Sequence, residues 1–470
     1  MLVETSVPGS DDWYLVRLCD QLGEGLPRMH RLQSYRDGDA LLPLDLVAGE
    51  RESYVRFMRR SRLHVVETLR DARTNRQKVI GFRTAAAGDE AGDAEAWKNW
   101  NRSRMKVQSR ELWNDTADFG SAYILTVPDD GGSPIWQVRN GWDTISIQDR
   151  NRPWLTEAGI TVGFDPVAEL EIVVLYRPGY YRVAYKRTRI PTLPKNGTGW
   201  YGTRDWAWAS EPIITPWTRD CLLTKNSTVD GLGIYEKHLD TVDRINEITL
   251  NALALIVQQA FSQRAIEGSL PEFYPEGHPQ AGQKIDYNEL FKSGPAALWL
   301  LGDAKIKELA PVDVRPVYGA RKDEVDVLAA LTSTPSYVFN AGADNQSAEG
   351  ADLAREQLVF AVEAMNELAS TTLAQAQALQ FQALGDTVRS DASEIEVMWA
   401  KVNPASLTQR AEAGSKLNGV ATQRWIDEEV LEMSPAARRQ AEQDRVTEAF
   451  TSALAGGTDA NNAGSNPATR

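Results

Sequence analysis

Residues 333–357 read STPSYVFNAGADNQSAEGADLAREQ, and the assignment of this stretch decides the architecture. Thr334-Pro335 must stop any helix before it, because the residue preceding a proline is pushed out of the helical region. Asn340 to Ser347 are polar or small, with Gly342 among them and no Lys or Arg. Ser347 fits an N-cap, and Glu349 falls in the first turn, where a carboxylate meets the positive end of the helix dipole. Leu358, Val362, Met365, Leu368 and Leu373 then keep a helical period, which predicts one very long helix to about Leu384. Its polar face is acidic: Asp352, Glu356, Glu363 and Glu367 stand against Arg355.

Working outward, SEIEVMWAKV (393–402) reads as a strand and Pro404 breaks it. Within DASEIE (391–396), alternation would put Glu394 and Glu396 on one strand face. SLTQ (406–409) is a capping box that starts another helix, and Ser434-Pro435 starts a further one, a cap followed by proline at the first helical position. From Gly456 the tail is too polar to pack. On the other side, a helix is expected at about Ala320–Leu331. Before it lies a Pro- and Gly-rich module at 268–314, with short apolar runs around Trp299 and Ile306. Val242, Ile245, Leu253, Ile256 and Ala260, widened by Leu250 and Val257, predict a long helix from about Tyr235 to Ile266.

Between about 118 and 220 the pattern changes. FGSAYILTV, PIWQVR, DTISIQD, ELEIVVLYR and YYRVAYK are short runs of β-branched and aromatic residues separated by turn clusters. Eleven of the 14 tryptophans precede residue 220, which suits a sheet with helices packed on it. GTGWYG (197–202) has the spacing of a dinucleotide fingerprint. It lies between a proline-rich stretch and an apparent strand, not between a strand and a helix, so it reads as a glycine-rich turn. Residues 1–120 look mainly helical, with Trp97 and Trp100 on one helix. The stretch 51–83 shows helical spacing and carries ten basic residues against three acidic. It fits either an anionic contact or a solvated helix face.

The composition is that of a globular protein: 470 residues, 42% hydrophobic and 25% charged. Cys19 and Cys221 give no disulfide framework and no metal spacing. No membrane span or signal peptide is expected. The net charge of −14 argues against a protein that grips nucleic acid, since phosphate affinity comes from Lys and Arg. His30, His64, His238 and His278 show no metal spacing, and no nucleophile elbow or phosphate loop is present. The expectation is a structural protein that is not an enzyme and has no catalytic residue, metal or cofactor.

The order of these features resembles the portal proteins of tailed bacteriophages. DGLGIYEKHLDTVDRINEITLNALALIVQQAFSQRAIEG (230–268) looks like the family's lead-in to its stem helix: a Gly-containing turn, then Asp243 and Asn246, then Arg264 and Gly268. Pro335, Ser347 and Ala348 match the tunnel segment, although Gly350 stands where many relatives carry a better helix former. Trp399, Pro404 and Ser406 match the returning strand and the capped helix after it. WKNWNRSRM with ADFGSAYILTV resembles the wing's helix and first strand.

That resemblance implies an α+β portal-type fold: a mixed α/β wing, a helical stem, a small α/β clip, a long tunnel helix and a helical crown. An N-terminal segment (1–29) would precede the wing (30–234, completed by a return strand at 391–403). The stem would comprise 235–267 and 315–335, with the clip at 268–314 between them. The tunnel loop would be 336–347, the long helix 348–390, the crown 404–455 and the tail 456–470.

The resemblance also implies a homo-oligomeric ring, dodecameric in the virion, at one capsid vertex, assembled in the host cytoplasm. Double-stranded DNA would be packaged and ejected through its channel with weak contact. The terminase large subunit and a head-tail adaptor would dock on the clip, around Tyr274, His278, Tyr287 and Trp299. Major capsid and scaffold proteins would be further partners, and no membrane is involved. Asn340, Gly342, Asp344, Asn345, Gln346 and Ser347 would line the channel, with Asp352, Glu356 and Glu363 facing it. The alternatives are another structural virion protein without a channel, such as a capsid protein, or a DNA-processing enzyme using a carboxylate-held metal.

Overall fold

The computed structural model describes residues 7–40, 52–86, 92–128, 133–187, 206–260, 264–267, 272–274, 276–286, 305–308, 313–339, 348–403 and 406–459. Helices and antiparallel sheets are mixed, an α+β protein. The chain divides into two units. One comprises Met1–Asp37, Val65–Lys237 and Ala330–Arg470; the other comprises Gly38–His64 and His238–Ala329.

In the larger unit, helix α1 (Asp11–Arg36) begins where the Ser10 hydroxyl accepts the Trp13 N–H at 3.2 Å. Leu15, Leu18, Leu22 and Leu26 recur at helical spacing and are buried. They pack on Ile160, Val173 and Leu175 of a six-stranded antiparallel sheet. That sheet contains β4 (Thr144–Gln148), β5 (Thr156–Asp165), β6 (Leu170–Arg177), β7 (Tyr180–Arg187) and β8 (Ala207–Trp208) in sequential order. β9 (Ile213–Ile214) pairs with β7. The first turn of α1 is tied to the same sheet: the Tyr180 hydroxyl donates to Asp11 at 2.7 Å, and the Trp208 indole donates to Asp12 at 2.6 Å.

A second sheet has the order β10-β2-β3, with β10 at Leu223–Ser227, β2 at Ser121–Pro128 and β3 at Pro134–Arg139. A third pairing joins β1 (Val79–Arg83) to β13 (Glu396–Trp399). Helices α3 (Val65–Thr74), α4 (Ala94–Arg102) and α5 (Met105–Phe119) pack around them. The long helix α8 (Ala348–Ala383) runs into this body, and residues 372–381 are buried on every side. Ala369, Ala374, Ala376 and Ala378 belong to the core around Trp100, Trp113, Trp136 and Phe82. Their small side chains let sheet and helices approach closely. Three polar side chains of this stretch donate outward. Gln377 donates to Ala96 O at 2.8 Å, Gln380 to Pro134 O at 3.2 Å, and Thr372 to Lys225 O at 2.9 Å. The Trp136 indole donates to Ala376 O at 3.2 Å. Strand β13 is fixed to the same helix by the Trp399 indole, 2.8 Å from the Ser370 hydroxyl.

The end of α5 is latched to residues 231–236 by close backbone approach. Gly120 has φ +85°, and a Cβ there would lie 2.2 Å from Gly231 O; a Cβ at Gly233 would lie 2.2 Å from Asp118 O. The Ile234 N–H donates to Ala117 O at 2.8 Å, and Arg28 bridges Phe119 O and Glu236. Beneath the latch Asp118 is fully buried, 3.3 Å from Arg70. Burial pushes its carboxyl up to about 6, against the pull of Arg70 and Arg36. Asp115 is also pushed up to about 6 by burial.

In the smaller unit, α2 (Glu52–Ser61) packs on α6 (Leu239–Ala260), and the Leu63 N–H donates to Asn246 Oδ1 at 2.8 Å. Helix α7 (Arg315–Leu331) is joined to α6 through Arg244 and Glu324 at 3.0 Å. Between these helices in sequence, β11 (Arg264–Glu267) pairs antiparallel with β12 (Lys305–Glu308).

Five expectations change. The helix expected over 235–266 begins after a 3-10 turn (Glu236–His238) and stops at Ala260, because Arg264–Glu267 is captured by a strand some 40 residues on. The apolar stripe of that helix is buried at Val242, Ile245 and Leu250 but exposed at Ile256 and Val257. The stretch 51–83 is two helices and a strand; Arg70 pairs with Asp71 and Asp118 and Arg83 with Glu396 and Glu428, while Arg59, Arg60 and Lys78 are exposed. Glu394 lies in a 3-10 turn (Ala392–Glu394) and so shares no strand face with Glu396. Finally α10 (Pro435–Asp459) continues through Gly456 and Gly457, where the polar tail was expected to begin.

A carboxyl raised to about 6 in the folded state binds protons there more readily than in the unfolded chain, between about pH 4 and 6. The stability it contributes is therefore present at the acidic end and lost as pH rises through 6. Asp118→Asn removes this dependence. Denaturant titrations should show the wild-type-minus-variant stability moving in the wild type's favour by about 1–3 kcal/mol as pH falls from about 7 to 4.5. A difference that is flat, or that moves the other way, contradicts the burial assigned to Asp118.

Candidate functional site

The segment from Asn340 to Ser347, with the candidates Asn340, Gly342, Asp344, Asn345, Gln346 and Ser347, lies outside the described residues. Its two flanks are described and belong to one unit. On the N-terminal side, Ser333 adopts a left-handed φ of +51° after α7. Thr332 and Thr334 are buried, and the Thr334 hydroxyl donates to Thr332 O at 3.2 Å. Pro335 is extended, and the 3-10 turn Ser336–Val338 follows. Arg73 of α3 donates to Thr332 O, and burial pushes its guanidinium down to about 10. This half-buried guanidinium ties the turn to α3 across 259 residues of sequence.

On the C-terminal side stands α8. Arg355 lies over the ring of Tyr337, 6.0 Å from its centroid, so the two flanks meet. Leu358 and Val362 are buried against Val402, and Gln77 donates to Asn366 at 3.2 Å. At 3.6 residues per turn, positions 352, 356, 363 and 367 fall within about 60° of one another, on the side opposite Leu358, Val362 and Ala369. Glu356, Glu363 and Glu367 are exposed. Asp352 occupies the same face by position, but its side chain lies outside the described set. The acidic face expected from sequence is thus a solvent-facing stripe, and Phe360 (59% exposed) borders it.

Tyr274 and His278 stack at 4.4 Å in a turn closed by the Phe273–Lys284 bridge. Tyr287 and Trp299 lie outside the described residues, so the four aromatic docking candidates are not brought together by what is described. Among the described residues no group of three or more His, Cys, Asp or Glu is placed to hold a metal ion, and no helix is long and apolar enough to cross a membrane. The residue that sequence reasoning missed is Arg73. Nothing in its local pattern separates it from the other cations of 51–83, because what singles it out is a carbonyl 259 residues away.

Neither a scan of protein-family models nor a search of curated proteins finds a match for this chain.

Arg73→Met keeps the side chain's length but removes the guanidinium donor to Thr332 O, leaving it the Thr334 hydroxyl. The expected cost is about 0.5–1.5 kcal/mol, the net worth of one hydrogen bond. Limited proteolysis should also cut faster between 332 and 347. Unchanged stability together with unchanged cleavage would remove Arg73 from this role.

Proposed function

We propose that this chain is the portal subunit of a tailed bacteriophage, a ring-forming protein at one capsid vertex through which double-stranded DNA is packaged and ejected. The observation that carries the reading is the pairing of two features. A cation-free polar segment at 340–347 has fixed flanks, and the helix that follows it presents an acidic stripe to solvent. Duplex affinity is driven by release of counterions when Lys and Arg neutralise phosphates. A segment without cations, backed by carboxylates, touches duplex and lets go. In a ring each charge is repeated by symmetry, so the stripe becomes an acidic girdle. A conduit needs this low affinity, since tight binding would stall movement.

The smaller unit supports the same reading. Helix, strand, strand, helix in sequence order, with β11 paired to β12, suits a stem carrying a clip. The exposed Ile256 and Val257 on α6 suit burial by a neighbouring subunit. On this reading the sheet-bearing body with β13 forms the wing, and α9 (Leu407–Leu417) and α10 belong to the crown. The Ser406–Gln409 capping box that starts α9 is complete in both directions. The terminase large subunit, and later a head-tail adaptor, dock on the clip, while capsid and scaffold proteins meet the outer body. The protein works in the host cytoplasm during assembly and in the virion afterwards.

Deletion of residues 341–346 tests the reading. The variant should assemble to the same particle size as wild type, because the flanking contacts lie outside the deletion. In the virus that encodes the chain, DNA-filled heads should drop at least tenfold. Normal packaging and retention with the deleted segment would sink the proposal.

A further inference from the structure

A cavity of about 560 Å³ opens between β1, α4, α5 and the start of α10. Its inner wall is built from Trp97, Trp100 and Trp113. Trp97 and Trp100 stack at 5.9 Å and Trp100 meets Phe82 at 5.8 Å, so the wall is rigid and aromatic. The Trp100 indole N–H is buried without an acceptor among the described residues. The portal reading makes no use of this cavity.

The charge around it runs against the rest of the molecule. Lys78, Lys106, Arg110 and Arg439 line it in a chain of net charge −14. Lys78, Lys106 and Arg110 are exposed, and no ion pair of theirs is found among the described residues. Arg439 donates to Gly92 O at 3.0 Å, which aims its guanidinium across the rim. The carboxylate on the lining, Asp93, is already neutralised. It caps α4 through the N–H groups of Glu95 and Ala96 and pairs with Arg389 at 2.7 Å. The rim is therefore positive in a protein whose overall charge repels anions.

We propose that this cavity docks a short acidic peptide segment of another protein, which inserts one aromatic or aliphatic side chain against the tryptophan wall. The volume lies within the range of small-ligand sites. The cations, however, come from three places around the mouth: Lys106 and Arg110 one turn apart on α5, Lys78 beside β1 and Arg439 on α10, more positive groups than one carboxylate can pair. An extended anion with an apolar anchor satisfies both features at once. Charged rims of this kind set on-rate and partner choice, while a buried aromatic pocket supplies the affinity. The inference stands on the geometry of the wall and rim, independently of the portal reading.

The test uses the full chain and a peptide array that presents Leu, Phe or Trp flanked by zero to four Asp or Glu on each side. Binding should require the apolar residue and rise with the number of acids. It should weaken at least tenfold in Lys106→Glu/Arg110→Glu, whose exposed positions leave the fold intact by circular dichroism. The measurement is repeated with Asp89→Ser and Glu90→Ser, so that an acidic pair close in sequence to Gly92 cannot mask the site. Trp97→Ala should lose the dependence on the apolar residue. An array blank at 100 μM in both backgrounds, binding indifferent to the charge reversal, or equal binding of N-acetyltryptophan alone would each overturn the proposal.

Discussion

The burial of the C-terminal half of one helix is the constraint on which this structure depends. Residues 372–381 of α8 lie inside the body, surrounded by two sheets and α4. A helix buried all round must be apolar or must hand each polar group a partner. Here alanines supply the close contacts, Thr372, Gln377 and Gln380 donate to β10, α4 and β3, and the Ala376 carbonyl accepts from Trp136 of β3, while the side-chain oxygens of Gln377 and Gln380 are buried without a donor among the described residues. Each such bond contributes only about 1 kcal/mol net, but breaking one orphans a buried group at about 1–3 kcal/mol. Specificity of seating, more than raw stability, is what the polar core achieves.

Seating one half of a rod fixes the other. The N-terminal half of α8 has one buried stripe, at Leu358 and Val362, and an acidic stripe facing solvent. Its rise of about 1.5 Å per residue places Ala348 on the order of 35 Å from Thr372. The turn Ser336–Val338, held by Arg73, meets the same helix at Arg355. The polar segment is therefore presented from two fixed flanks. On the proposed function, presentation of weakly interacting groups from a fixed base is what a passage for duplex needs.

Much of this was legible in the chain itself. Pro335 and Ser347 bracket the segment, and the helical period from Leu358 onward gave an end at about Leu384 against the observed Ala383. The caps at Ser406 and Ser434 were readable because capping chemistry is local. What escaped was tertiary. Strand β10 reads LTKNS, too polar to announce itself, and exists because β2 pairs with it and Asn226 reaches Thr116 at 2.8 Å. Strand β5 carries two glycines and so hid among turns. Strand β1 sat inside a basic run with helical spacing, and only β13, more than 300 residues on, makes it a strand. At the site, the acidic stripe was visible as a period, whereas the tether from Arg73 was not.

The central claim is that a cation-poor segment and an acidic stripe are arrayed around a symmetric pore. Negative-stain images of the purified full-length chain test it most directly. The account predicts rings with an axial, stain-filled opening and a subunit number near twelve. A uniform field of compact single-chain particles of 52.1 kDa, under concentrations and salts that favour association, would contradict it.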